Sequence, residues 1–256
     1  MSVKLQTLLG PKDPEPIEIV AADSASGIVL LCEHAGNAIP KVLGTLGVSR
    51  DIIESHRGWD IGALDLARKL AESLDASLVI QRYSRLVLDC NRPPDSALAI
   101  PVVSDQVTVP GNSALNAEAR AIRVNEIFRP MDAALNRLFA SHPRRAAFSI
   151  HSYTPNLGGE NRPWHAGFLS RTPSGVATAL RDHVAESHSG LSLAVNAPYQ
   201  LETDGDWFIP AHAEPRNLAH CLIEIRNDQL GSPEGIDLWA DLLAEAILAS
   251  VEGVDP

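Results

Sequence analysis

Two histidines in this chain follow apolar runs almost without a break. His34 comes after Gly27-Ile-Val-Leu-Leu-Cys32 and Glu33, and His151 comes directly after the run at residues 146–150. A third apolar run, residues 221–225, holds Glu224 inside it and Arg226 just beyond it. Imidazoles and carboxylates in such places are costly to bury unless they are paired or bind an ion. A hydrolytic zinc site needs about three ligands drawn from His, Asp and Glu, with one position left open for water. It also needs a carboxylate that takes the proton of that water. His34 and His151 supply two ligands. Asp60, in the segment His56-Arg-Gly-Trp-Asp60-Ile-Gly62, is a candidate third, and Glu224 is the candidate base. Each has a plainer use. A strand-end histidine is ordinarily a hydrogen-bonded structural residue, Asp60 is able to cap the helix that follows it, and Glu224 with Arg226 makes an ordinary ion pair. His56, four residues before Asp60, is an alternative ligand if that stretch is helical.

Arginines and asparagines form a second signal. Arg85-Leu-Val-Leu-Asp89-Cys-Asn91-Arg92 gathers two arginines, an aspartate and an asparagine, and Arg162, Arg216 and Arg226 lie at loop or strand-end positions. Arginine holds carboxylates through paired hydrogen bonds, so this set suits a small dicarboxylate-like substrate. The competing use is a structural Arg85–Asp89 salt bridge. The stretch from Ser152 to Trp164 carries turn residues throughout and reads as a substrate-covering loop. Its Gly158-Gly159 pair lacks the lysine and spacing of a phosphate loop. Ser152 stands in no G-x-S-x-G elbow, and no H-E-x-x-H motif is present.

For these residues to meet, the runs that carry them must be strands whose ends share one edge of a sheet. In open α/β sheets ligands bind beyond the carboxyl ends of the strands. Strands are expected at residues 27–32, 77–81, 85–89, 146–150, 166–169, 191–195 and 221–225. Helices are expected at 62–74, 116–140 (kinked or divided at Pro130), 174–187 and 238–251. Residues 91–111, with four prolines, read as a long loop. Strands alternating with helices imply a largely parallel sheet covered on both faces. The expectation is α/β: one domain over residues 1–256, a three-layer αβα sandwich around a mostly parallel mixed sheet, with 1–26 as a polar surface arm.

The bulk composition narrows the partners. Hydrophobic residues make up 45% of the 256, enough for a sizeable core. The net charge of −11 argues against general nucleic-acid binding and against an acidic membrane surface. It leaves room for a small anionic substrate, because a local arginine cluster overrides the global sign. No signal-peptide core and no run of roughly 18 apolar residues is present, so the reading is a cytoplasmic protein. Cys32, Cys90 and Cys221 are expected to be buried free thiols.

Taken together, six segments resemble the N-formylglutamate amidohydrolase family. They are Cys32-Glu-His-Ala-Gly-Asn37, Gly58-Trp-Asp60, Tyr83-Ser-Arg-Leu-Val-Leu-Asp-Cys-Asn-Arg-Pro93, Ser149-Ile-His-Ser152, Asn196-Ala-Pro-Tyr199 and Ile223-Glu-Ile-Arg-Asn-Asp228. The resemblance implies a phosphorylase/hydrolase-like fold akin to zinc carboxypeptidases, and hydrolysis of N-formyl-L-glutamate to formate and glutamate in histidine degradation. It implies one Zn2+ on His34, Asp60 and His151, with Glu224 as the catalytic glutamate. Arg85, Asn91 and Arg92 are then similar to substrate-binding residues, and Arg226 is a further candidate for the substrate carboxylates. Two rival readings are a zinc amidase acting on peptidoglycan or peptides, and a non-catalytic binding protein for small acidic metabolites.

Overall fold

The fully apolar segments lie side by side. In the computed structural model, which describes residues 7–171, 175–202 and 205–251, seven strands form the main sheet. They are β1 (Ile17–Val20), β2 (Ile28–Cys32), β3 (Ser77–Gln81), β4 (Ala146–Tyr153), β5 (Ala166–Leu169), β6 (Leu193–Val195) and β7 (Ala219–Arg226). Their spatial order is β1-β3-β2-β4-β7-β5-β6. The central strands β3, β2, β4 and β7 are parallel; β1 against β3 and β5 against β7 are antiparallel; β6 is parallel to β5. Every residue of β2, β3 and β4 is buried. Burial on both faces is what makes these strands read as unbroken apolar runs rather than alternating ones.

Side chains alternate between the two faces. Ile28, Leu30 and Cys32 of β2 join a layer with α1 (Ala63–Ser73), α4 (Gly175–Ser187) and α5 (Pro233–Val251). Val29 and Leu31 join the opposite layer, built from α2 (Ala117–Arg123), α3 (Arg129–Ser141) and the segment around Phe208. The result is the expected α/β sandwich, a mostly parallel sheet between two helical layers. All three cysteines are free and buried. No described helix is long and apolar enough to cross a membrane.

Several elements differ from the sequence reading. The expected surface arm at 1–26 contains β1, an edge strand whose Ile17–Val20 pairs with Leu78–Gln81, and residues 1–6 lie outside the described residues. Residues 85–89 form a turn rather than a strand, because the Ser84 side chain and carbonyl accept from the amides of Leu86 and Val87. Its leucines are buried against the second layer, so an apolar run arises with no ladder. The long 116–140 helix is divided by a π-helical turn, Val124–Phe128, and Pro130 sits in the first turn of α3, where a missing amide costs nothing. The 91–111 loop holds a two-residue ribbon, Val103–Ser104 with Val107–Thr108. Ser174, the expected start of α4, lies outside the described residues.

Candidate metal centre

Strand register places two of the candidate residues. On the parallel β4–β7 ladder, His151 is the partner of Glu224. Ala147 on β4 and Leu222 on β7 belong to the α2–α3 layer, and a period of two carries His151 and Glu224 to the same side. Both therefore stand at the carboxyl end of the sheet, as does His34, two residues past β2. Asp60 is brought in by the loop before α1, where its amide donates to the His34 carbonyl at 3.0 Å. The chain then turns into α1 through Gly62 at φ +82°, where a Cβ would meet Leu230 Cβ at 2.5 Å. Gly62 occupies the N-cap position and no side chain caps this helix, so the Asp60 carboxylate is not used as a cap.

The Asp60 carboxylate points instead at two imidazoles. Its Oδ2 lies 2.7 Å from His151 Nδ1 and 3.4 Å from His34 Nδ1, and the two Nδ1 atoms are 3.1 Å apart. All three residues are at most 2% exposed. The far nitrogen of each ring faces another carboxylate: His34 Nε2 is 2.7 Å from Asp89 Oδ1, and His151 Nε2 is 3.1 Å from Glu33 Oε2. A proton on each Nε2 leaves a lone pair on each Nδ1, so two lone pairs and a carboxylate oxygen converge on one point. That arrangement repels itself unless a cation sits among the three atoms. Two neutral imidazoles and a carboxylate, each ring backed by an acid, match the donor set and outer shell of a zinc site. The residues fit a divalent metal.

The electrostatics agree. Burial alone would raise the Asp60 carboxyl, but the neighbouring His34, Arg85 and His151 hold it well below the carboxylate range. Burial likewise opposes a charge on His151, yet Glu33 and Asp60 hold its imidazole well above the usual value. Without metal, the cluster satisfies its need for a cation with a proton. Asp89 is held far down by His34 and Arg85 against the opposing effect of burial. Arg85 bridges the two acids, 3.1 Å from Asp60 Oδ1 and 3.4 Å from Asp89 Oδ2. The Arg85–Asp89 salt bridge and a place beside the site are thus both realised.

His34, His151 and Glu224 open onto a cavity of about 540 Å³ whose wall also holds Arg85, Asn91 and Arg92. Burial pushes the Glu224 carboxyl up to about 7, with Asp60 adding to the rise and His151 opposing it. Its Oε2 is buried and meets no donor, and the same holds for Asn91 Oδ1. Both residues line the cavity, but these two oxygens have almost no exposed surface, so a ligand or water reaches them only when neighbouring side chains shift. Leu169 and Leu222, Cα partners across β5 and β7, supply apolar lining. The wall opposite is the stretch Pro198–Glu202. It lies tight on the sheet, since a Cβ on Gly167 would meet the Ala197 carbonyl oxygen at 1.9 Å.

Not every candidate reaches this cavity. Arg226 does not line it: past the end of β7 its guanidinium pairs with Asp228 at 2.7 and 3.1 Å and donates to the carbonyls of Arg162 and Pro163. Arg226 therefore stands apart from the other substrate-binding candidates, and among the described residues Glu224 is not its ion-pair partner. His56 pairs with Asp105 at 3.0 Å, away from the three ligand atoms, and His212 pairs with Asp132 at 3.1 Å beneath Phe139 and Trp207. Ser152 donates its hydroxyl to the Ile61 carbonyl. Sequence reasoning missed the roles of Glu33 and Asp89 behind the histidines and of Asp206, which accepts from Asn91 Nδ2 at 3.2 Å. Glu33 was open to detection as an acid beside His34 at the end of a buried strand; Asp206 carried no such signal.

The family model described as N-formylglutamate amidohydrolase matches residues 26–230. The gene product Atu2144 from Agrobacterium tumefaciens superposes with a TM-score of 0.91 at 34% identity, over 97% of this chain and 100% of that one. N-formylglutamate amidohydrolase from Ralstonia eutropha JMP134 superposes with a TM-score of 0.72 at 17% identity, over 94% of this chain and 99% of that one. No curated protein matches the chain. With the family model spanning most of its length, the chain belongs to the N-formylglutamate amidohydrolase family.

Proposed function

We propose that the chain is a zinc-dependent amidohydrolase that cleaves N-formyl-L-glutamate, or a similar N-acyl amino acid, to the free amino acid and formate or the corresponding acid. The observation that carries this reading is the convergence of His34 Nδ1, His151 Nδ1 and Asp60 Oδ2 next to Glu224 in one cavity. His34, Asp60 and His151 would hold the metal, which when bound supplies a Lewis acid that acidifies water and polarises the amide carbonyl. Glu224 is the base: its unpartnered Oε2 takes a proton from the attacking water and returns it to the leaving nitrogen. Asp89, hydrogen-bonded to His34 Nε2, fixes the orientation of that imidazole, and Glu33 stands 3.1 Å from His151 Nε2 as a counter-charge. Arg85 stands beside the ligands as a fixed positive charge that favours the developing oxyanion. Asn91 lines the cavity beside the metal ligands and is a candidate contact for the substrate.

The direct test is formate release from N-formyl-L-glutamate by the purified protein, before and after treatment with a chelator and after zinc is restored. The expected result is turnover that disappears with the metal and returns with it. A fully zinc-loaded preparation that releases no formate refutes the substrate, and turnover indifferent to chelation refutes the metal.

A further inference from the structure

A second cavity of about 320 Å³ shares Arg85, Arg92, Ser152 and Tyr199 with the first and adds Arg57, Tyr153 and Arg162. Of its four arginines, three are committed to protein acids. Arg57 lies 2.7 Å from Asp105; Arg85 lies 3.1 Å from Asp60 and 3.4 Å from Asp89; Arg92 lies 3.8 Å from Asp206 and 4.0 Å from Asp89. Arg162 has no carboxylate partner among the described residues, although it is only 7% exposed. Its Nε donates to the Thr154 carbonyl at 2.8 Å and its Nη1 to the Tyr199 hydroxyl at 2.5 Å. The guanidinium lies over the Tyr153 ring at 4.8 Å. Nη2 is buried and meets no acceptor.

Two other buried arginines show what a purely structural one looks like here. Arg123 and Arg144 also lack acids. Arg123 reaches the Val87 and Gly111 carbonyls and Asn112 Oδ1; Arg144 reaches the Leu138 and Ser26 carbonyls and Ser77 Oγ. All their terminal nitrogens are matched and neither lines these two cavities. A guanidinium does not lose its proton inside a protein, so Arg162 keeps a charge and a donor that the fold leaves unanswered.

We propose that Arg162 is the specificity residue that binds the side-chain carboxylate of an acidic N-acyl amino acid whose amide lies at the metal centre. The inference rests on the amidohydrolase reading for where that amide sits. A carboxylate entering this branch displaces the Tyr199 hydroxyl from Nη1, and the shift of that ring opens Nη2, which has almost no exposed surface here, to the second oxygen. The ring of Tyr153 holds the guanidinium plane for this two-point contact.

The test compares N-formyl-L-glutamate with N-formyl-L-glutamine on the zinc-loaded wild type and on Arg162→Met. The substitution is expected to raise KM for the glutamate substrate roughly ten- to a hundredfold, the size of one charge-assisted contact. It should leave KM for the glutamine substrate in place and change kcat less than KM for either. An unchanged preference overturns the assignment; so does equal weakening of both substrates with a lowered Tm, which marks a structural arginine. If the wild type cleaves neither, the proposed function fails. The assignment is then judged by calorimetric titration of L-glutamate and L-glutamine into the zinc-loaded protein. Glutamate-selective binding lost in Arg162→Met supports it; absent or unselective binding overturns it. Should Arg162→Met fail to fold, Arg162→Gln, neutral but able to reach the Thr154 carbonyl, replaces it in both arms.

Discussion

Glu224 separates metal binding from turnover. Glu224→Gln keeps the shape of the side chain and touches none of the three ligand atoms. It is expected to retain stoichiometric metal by elemental analysis while kcat drops by about 10²–10⁴; near-normal turnover would remove Glu224 from the mechanism. Its carboxyl, raised to about 7 by burial, also sets a pH dependence. In the metal-free protein the unfolded carboxyl ionises near 4.5 and the folded one near 7. The fold is therefore unpenalised below the first value, loses stability as pH rises between the two, and carries a constant penalty above the second. Glu224→Gln should accordingly raise the Tm of metal-free protein at pH 8 and leave it unchanged at pH 4; equal shifts at both would contradict the burial effect. Asp89→Asn removes the anion behind His34, and metal affinity is expected to weaken by about 10–100-fold with turnover per bound metal largely kept. Competition with a chromogenic chelator measures it. His34, His151 and Glu224 stood out as candidates because polar groups in or just past apolar runs are costly without a purpose, whereas Asp60, in a loop, was a candidate only as a third ligand to complete the set. Asp206 was not, since it lies in an irregular segment where an aspartate is unremarkable. Arg226 was a candidate from its place just beyond the third apolar run; the strand ends at that residue and its side chain turns back to Asp228.

At the scale of elements, the site depends on a close approach between β5 and the stretch that follows β6. With Ala197 O at 1.9 Å from the position of a Cβ, Gly167→Ala must displace one of them. The expected cost is about 1–3 kcal/mol in denaturant unfolding. KM should rise as well, because Pro198, Tyr199 and Leu201 form the cavity wall; unchanged KM with the stability loss would show the displacement absorbed by β5 alone. The buried strands were legible for the reason that shapes them: burial on two faces demands apolar residues throughout. The turn at 85–89 was mistaken for a strand by the same logic, since periodicity does not distinguish a buried strand from a buried turn, and only the Ser84 bonds decide it. The edge strand β1 escaped notice because it is only four residues long, half-buried and set in a polar, proline-bearing stretch. The reversed direction of β5 was not legible at all; strand polarity is fixed by the path of the connection, not by local composition.

At the scale of the whole molecule, His151 and Glu224 face each other across a continuous parallel ladder of eight residue pairs, whereas Asp60 and Asp89 are held in loops. The halves of the centre are therefore expected to open at different rates. Amide hydrogen exchange should find residues 148–152 and 221–225 among the slowest in the protein, opening only with global unfolding, and residues 58–62 faster by sub-global opening. Warming short of the main transition would then release the metal while ligand His151 and base keep their relative places. Inactivation by mild heat would be undone simply by cooling with fresh cation, with no refolding lag. A centre that needed slow renaturation after such treatment, or equal exchange in both sets of amides, would mean the sheet and the loops come apart together.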